Sequence, residues 1–404
     1  MTRQRQQDSC ISIMPANRKS NHRSIIIVGA GLAGLACALV LKAQARAITL
    51  VGHPGNSGDS RTTALLDGSV RSLAKAGVEV AHHDLAAPLR VMAIVDATQR
   101  LVRARPIAFD AREIGLDAFG WNMPNGALTQ MLAQAVADDG VEHIAGRLVA
   151  VEPSADRVSL MVEDHEPLTA DLVIAADGRN SIIRKAAGIG TTQHDYPQVA
   201  LALNLRIGRD HHDISTEFHT ESGPFTLVPL PGRRASLVWV VKPEKAQLLK
   251  EMSDEELALA IEKQSHALLG SIGIDSPRSF WPMASIMADS YGCDRIALIG
   301  EAAHVLPPIG AQGFNLTLRD IAALAQAIEI APDPGVPGVL EVYAKARHLD
   351  VGSRRSFVDL LNRSLLSGQF PLHGLRGLGL YALERIGPLR RAVMRHGLAR
   401  AVEH

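Results

Sequence analysis

The sequence predicts an α/β fold with a parallel β-α-β opening, a mainly β region interleaved with it, and a helical C-terminal region. Three observations predict it. Ser24-Ile25-Ile26-Ile27-Val28 is an apolar run that stops at a glycine-rich turn and leads into an alanine- and leucine-rich stretch. Between about 147 and 241, short strand-like segments alternate apolar and polar residues between turn signals. From Leu316 onward the pattern is mostly helical.

Taken in order, residues 1–23 are polar and basic and read as a mobile tail, with no apolar segment of the kind a secretory signal needs. A buried strand is expected over 24–28, a helix over 32–45 and a second strand over 48–51, with 52–60 a loop. A helix is expected over 62–75, a strand over 89–96, and a helix over 125–137 after a Pro-Asn turn. Strands follow at 147–152, 157–163, 168–175, 199–207, 215–219, 225–229 and 235–241. A helix over 255–268 is expected on that sheet, and the apolar segment 296–299 returns to the first fold. A chain of 404 residues is too long for one simple core. The expected division is 24–88 with 122–196 and 285–330 as a first domain, 89–121 with 197–284 as a second, and 331–404 as a helical region.

Composition limits the function. Lys+Arg and Asp+Glu balance at 42 each, so nothing global points to nucleic acid. Three cysteines make no disulfide framework and fit a reducing cytoplasm. No apolar stretch is long enough to span a bilayer, so any membrane contact would be peripheral. The segment 352–404 carries nine arginines against Asp359, Glu384 and Glu403. Within it, 365–401 interleaves aliphatic residues with arginine, which suits either a basic amphipathic helix on anionic lipid or a helix pair packed on the protein.

Three motifs carry chemistry. Gly29-Ala30-Gly31-Leu32-Ala33-Gly34 is a GxGxxG between a predicted strand and a predicted helix. Glycine there allows a tight turn and close backbone approach, and the helix N-terminus faces a pyrophosphate, so the opening is Rossmann-type. The acid that normally ends the second strand and binds the adenosine ribose is missing, because that strand runs into Gly52 and His53. The second motif is Asp177-Gly178-Arg179-Asn180-Ser181 with Arg184, where a buried strand ends and a helix begins. The third is the loop from Gly300 to Asn315, dense in Gly, Pro, Gln and Asn between a buried strand and a helix. No convincing metal set emerges. Asp210-His211-His212-Asp213 is the best candidate and sits in a polar turn.

Read in this order, the three motifs resemble the FAD-dependent aromatic hydroxylases of the para-hydroxybenzoate hydroxylase type. Within them the chain looks most like the ubiquinone-biosynthesis hydroxylases. The closest stretches are Arg61-Thr62-Thr63-Ala64-Leu65, Gln312-Gly313-Phe314-Asn315-Leu316 with Leu318-Arg319-Asp320, and Asp359-Leu360-Leu361-Asn362-Arg363. The resemblance implies an FAD-binding domain interleaved with a substrate domain. It places Gly29, Gly31 and Gly34 at the FAD pyrophosphate, with Arg61 near the cofactor and Asn125 at a polar flavin-contact position. It gives Asp177 and Gly178 to FAD and NAD(P)H, and Gly300-Glu301 to the flavin ribitol. Pro308, Gly310, Gln312, Gly313 and Asn315 would line the isoalloxazine. Glu301 stands where the family has Asp, and Gly310-Ala311 reverses the family's Ala-Gly.

The implied reaction uses NAD(P)H and O2 to hydroxylate the ring of a polyprenylated phenol or quinol through a flavin 4a-hydroperoxide. The implied setting is the cytoplasm, peripheral on the inner face of the membrane, beside other ubiquinone-biosynthesis proteins. A reductase or dehydrogenase of another lipid, or a flavin-binding scaffold without turnover, are the alternatives.

Overall fold

The computed structural model describes residues 22–44, 46–55, 58–98, 103, 105–308, 310, 313–366 and 387–395. A central parallel sheet runs in the order Ile296–Leu298, Leu168–Ala175, His22–Ala30, Ile48–Pro54, Glu142–Ile144. Ile25 to Ile27 and Leu172 to Ala175 are fully buried, as expected of parallel strands covered on both faces. Helix α1 (Leu32–Lys42) follows the first strand. Its Gly34, Ala36 and Ala38 are small enough to lie close to the sheet. An antiparallel extension, Leu148–Pro153 and Val158–Val162, continues from the Leu168–Ala175 strand.

The segment 62–75 differs from the expected single helix. Thr62–Leu66 is a strand, and helix α2 begins only at Asp67 (Asp67–Lys75). The strand pairs with Gly120–Pro124, which also pairs with Ala87–Pro88. The physical reason lies at Gly120. A Cβ there would run into the carbonyl of Leu65, so the two backbones approach as only glycine permits. Helix α3 (Asn125–Asp138) starts as the Pro-Asn turn predicts.

The second sheet runs His304–Val305, Ser279–Ala288, Thr191–Ile207, Arg234–Val241, Gly223–Leu230, Ile214–Thr220, Val91–Asp96, Ile107–Asp110. Its longest strand, Thr191–Ile207, begins eight residues before the expected 199. On one face Leu201, Leu203, Leu205, Phe218, Phe225, Leu237 and Trp239 form a core. The helices following Arg234–Val241 close it: α5 (Pro243–Glu251) and α6 (Asp254–Gln264) contribute Ala246, Leu249, Leu257 and Ile261. Sequence reading ran α6 four residues too far, and α5 is an additional helix. Ser253 and Glu256 form a reciprocal capping box at the start of α6.

The other face of this sheet meets the first half of the molecule. Asn122 donates to the Pro229 carbonyl (2.8 Å), Thr62 to Ser236 Oγ (2.9 Å), and Asn204 to the Ser60 carbonyl (2.7 Å). Helix α4 is the short Ile182–Ala186. Helix α7 (Gly313–Ile328) packs on α1 and on α8 (Pro337–Leu366); α8 reaches the parallel sheet, where Tyr343 donates to the Leu298 carbonyl (2.6 Å), and α9 spans Gly387–Met394. Most of the predicted amphipathic region 365–401 lies outside the described residues. Within α9, Met394 is buried with Ile107, Phe109 and Phe119. Arg390 donates to the Glu113 carboxylate, which holds that carboxyl below its usual range. No helix among the described residues is long and apolar enough to cross a membrane.

Candidate active site

The site is built where the parallel strands end. Gly29 leaves the first strand with φ +113°, and a Cβ there would collide with the Ala176 carbonyl. A Cβ on Gly34 would collide with the Gly29 carbonyl. Both glycines are therefore required by the protein's own packing. Gly31 is different. It is the N-cap of α1, has no side-chain cap, and nothing lies within 4 Å of a Cβ built on it. The first-turn amides of α1 point into this open space.

Asp177 stands beside that turn, its backbone nitrogen 3.0 Å from where a Gly29 Cβ would sit. Its Oδ2 accepts from the Ile182 amide (2.8 Å), while Oδ1 is buried without a hydrogen-bond partner. Gly178 follows with φ +82°. Arg184, predicted within the same motif, is buried and donates to the carbonyls of Ala302 (2.8 Å) and Arg179 (2.9 Å). It thus ties the second motif to the third.

Arg61 enters from the Asp59–Thr62 loop. It donates to both Asp59 oxygens (2.9 and 2.7 Å) and lies over the Trp281 ring at 5.1 Å. Asn125 Nδ2 donates to Asp59 Oδ2 (3.1 Å), and its Oδ1 accepts from Thr63 (2.6 Å). Burial raises the Asp59 carboxyl, but the bonds from Arg61 and Asn125 outweigh it and hold the group below its ordinary range. Arg61 is raised, first by its bond to Asp59 and further by the nearby Glu301 charge.

The 300 loop begins as a 3-10 turn, Gly300–Ala302, with Gly300 at φ +59° and Glu301 exposed. Pro308, Gly310 and Gly313 are exposed, and Gly313 is the first residue of α7. Gln312 lies outside the described residues. Asn315 is buried. It accepts from the Leu66 amide (2.8 Å) and donates to the Ala64 carbonyl (2.7 Å), fastening α7 to the Thr62–Leu66 strand.

Beneath the loop is a network that sequence reasoning missed. Asp320 on α7 is completely buried. Its Oδ2 accepts from the Gly300 amide (2.9 Å) and His304 Nε2 (2.7 Å), and its Oδ1 from Arg347 Nε (2.7 Å). Arg347 is also buried and donates to Asp350 (2.8 Å). Burial would depress the Arg347 guanidinium, yet the Asp320 charge raises it. The only sequence signal was Asp320's place in the Leu318-Arg319-Asp320 run, which named no partner.

The weak metal candidate is a turn. His211 donates from Nε2 to the Leu230 carbonyl (2.9 Å) and accepts the Asp213 amide at Nδ1 (3.0 Å), so both ring nitrogens hold backbone.

Residues 22–353 match the family model described as FAD binding domain. The ubiquinone hydroxylase UbiL of Rhodospirillum rubrum is 30% identical over 93% of this chain and 89% of its own length. The 3-demethoxyubiquinol 3-hydroxylase of Escherichia coli is 31% identical over 93% of this chain and 98% of its own. Among solved structures, p-nitrophenol 4-monooxygenase PnpA from Pseudomonas putida superposes with a TM-score of 0.76. It is 17% identical over 94% of this chain and 99% of its own, a likeness of fold. Fold and site define an FAD-dependent monooxygenase. The chain belongs to the ubiquinone-biosynthesis hydroxylase family of FAD-binding proteins.

The residues present fit that cofactor by this structure's own geometry. The space at Gly31 is one a Cβ would enter, it faces the amide end of a helix, and Asp177 Oδ1 beside the turn lacks a partner.

Proposed function

We propose that the protein hydroxylates the ring of a polyprenylated phenol or quinol in ubiquinone biosynthesis, using NAD(P)H and O2. The carrying observation is the near full-length match to two ubiquinone-pathway hydroxylases, at 30% and 31% identity. When bound, FAD supplies the redox and oxygen chemistry. The chain's own residues bind and orient. The α1 amides at Gly31 receive the pyrophosphate, and Gly29 and Gly34 hold the turn that presents them. Asp177 and Gly178 border the same site. Arg61, positioned by Asp59 and Asn125, adds positive charge. Glu301 on the Gly300 turn takes the ribitol. Pro308 and Gly310, both exposed, form a rim without bulky side chains. The N-terminus of α7 at Gly313 favours negative charge on the flavin ring. Asn315 acts by fixing where α7 begins.

A strain lacking the protein should accumulate a quinone precursor short of one oxygen, and re-expression should relieve it. Mass spectrometry of the lipid extract reads both. An unchanged profile, in a strain with no second hydroxylase of this family, would overturn the pathway assignment.

The protein is also proposed to work at the inner membrane surface. Supporting this are the arginine-rich 352–404 segment and the outward Leu389 and Val393 of α9, each over 40% exposed. Binding to anionic vesicles that falls on truncation after residue 369, with flavin retained, is the expected outcome. Unchanged binding would leave α9 a packing element alone.

A further inference from the structure

The second sheet carries a titratable pair outside the FAD motifs, a buried His219 against a half-buried Glu217. His219 is 4% exposed, and its Nε2 lies 2.7 Å from Glu217 Oε1. The carboxylate therefore fixes the imidazole tautomer with its proton on Nε2. Nδ1 is left as an acceptor, buried and without a hydrogen-bond partner. A buried acceptor that no protein group engages calls for an explanation.

Strand register shows which way the pair faces. Glu217 pairs with Thr226 and Thr226 with Val238, while His219 pairs with Pro224. Val238 lies two residues from Ser236 on the same strand, so all of these share a face. That face is the one on which Thr62 bonds Ser236, Asn204 bonds Ser60, and Arg61 covers Trp281. It is opposite the core closed by α5 and α6. Glu217 stands two strands from Val238, or roughly 10 Å at ordinary strand spacing.

We propose that Glu217 and His219 are the proton acceptor for the substrate's ring hydroxyl, a role that rests on the phenol or quinol reading above. The phenolic O–H bond breaks, the proton passes to His219 Nδ1, and the electron pair stays on the ring oxygen. That pair raises electron density on the ring carbons ortho and para to it, where electrophilic oxygen attacks. The imidazolium formed is stabilised by the Glu217 carboxylate.

Other groups around the pair are engaged. Asp96, directly across from His219 on the next strand, accepts from Thr98 Oγ1 (2.7 Å). Glu221 lies in the adjoining turn and has partners of its own. Pro224, Thr226 and Val228 on the other neighbouring strand do not titrate. From α8, which touches that strand, Arg347, Asp350 and Arg354 bond within the Asp320 network.

The test is single-turnover hydroxylation of a prenylated phenol by the holoprotein across pH, with the ultraviolet spectrum of the bound phenol recorded alongside. Wild type should lose rate as pH falls and should bind the phenol partly ionised. His219→Gln should lose that acid limb, fall roughly 10²-fold in rate, and bind the phenol neutral, with flavin content unchanged. Glu217→Gln removes the stabilising charge and should move the acid limb to lower pH; it also serves if His219→Gln does not fold. Variants with the wild-type pH profile and phenolate spectrum would overturn the proton-accepting role and leave the functional reading standing. A wild type that hydroxylates no prenylated phenol would overturn the functional reading itself.

Discussion

Gly31→Val should give a protein that folds and does not hold FAD, whereas Gly34→Val should not fold. The two positions lie in one motif, yet the structure separates them. At Gly34 a side chain meets the Gly29 carbonyl, and neither backbone can withdraw without breaking the α1–sheet contact. At Gly31 the added atoms meet no protein within 4 Å, and the backbone, at φ −88° and ψ −172°, is one that valine adopts. The damage at Gly31 therefore falls on whatever occupies the space. A loss of FAD affinity of at least about 100-fold, near 2.7 kcal/mol, is expected. Flavin absorbance after gel filtration and the unfolding midpoint of the apoprotein read the two effects separately. Normal flavin content in Gly31→Val would remove the first motif from the cofactor site.

Asp320→Asn should cost about 3–5 kcal/mol of stability, the range for removing one partner of a buried ion pair. Both oxygens of Asp320 act as acceptors, one toward Gly300 and His304, the other toward Arg347. An asparagine must turn its NH2 toward one of those donors. It also leaves Arg347 buried without its closest counter-charge, although Asp350 remains. Because Gly300 begins the 300 loop, flavin content should fall together with the urea midpoint. A variant with wild-type stability would mean that the Asp320 network only decorates the loop.

The sequence made the parallel strands legible because they are apolar without interruption, and Ile25–Val28 shows why: both faces are covered. The first motif was legible because strand, glycines and helix are adjacent in the chain. The Thr62–Leu66 strand was not, because it passes into α2 with no Gly, Pro or Asn between. Its strand character comes from Gly120, more than fifty residues away. Asp320 was noticed only as part of a resemblance, since nothing local shows that Gly300, His304 and Arg347 converge on it. Alternation put Glu217 and His219 on one face, but only the register of the neighbouring strands shows that Ser236 and Arg61 share it.

The chain crosses repeatedly between its two large sheets. It leaves the parallel sheet after 54, returns at 142, leaves again after 175, and comes back at 292 before adding His304–Val305 to the other. Asn122, Thr62 and Asn204 then bond across the junction. Neither sheet corresponds to a contiguous stretch that could be excised or synthesised first. The halves are obliged to mature together, and a nascent chain cannot complete its nucleotide-binding sheet until nearly three quarters of it has emerged.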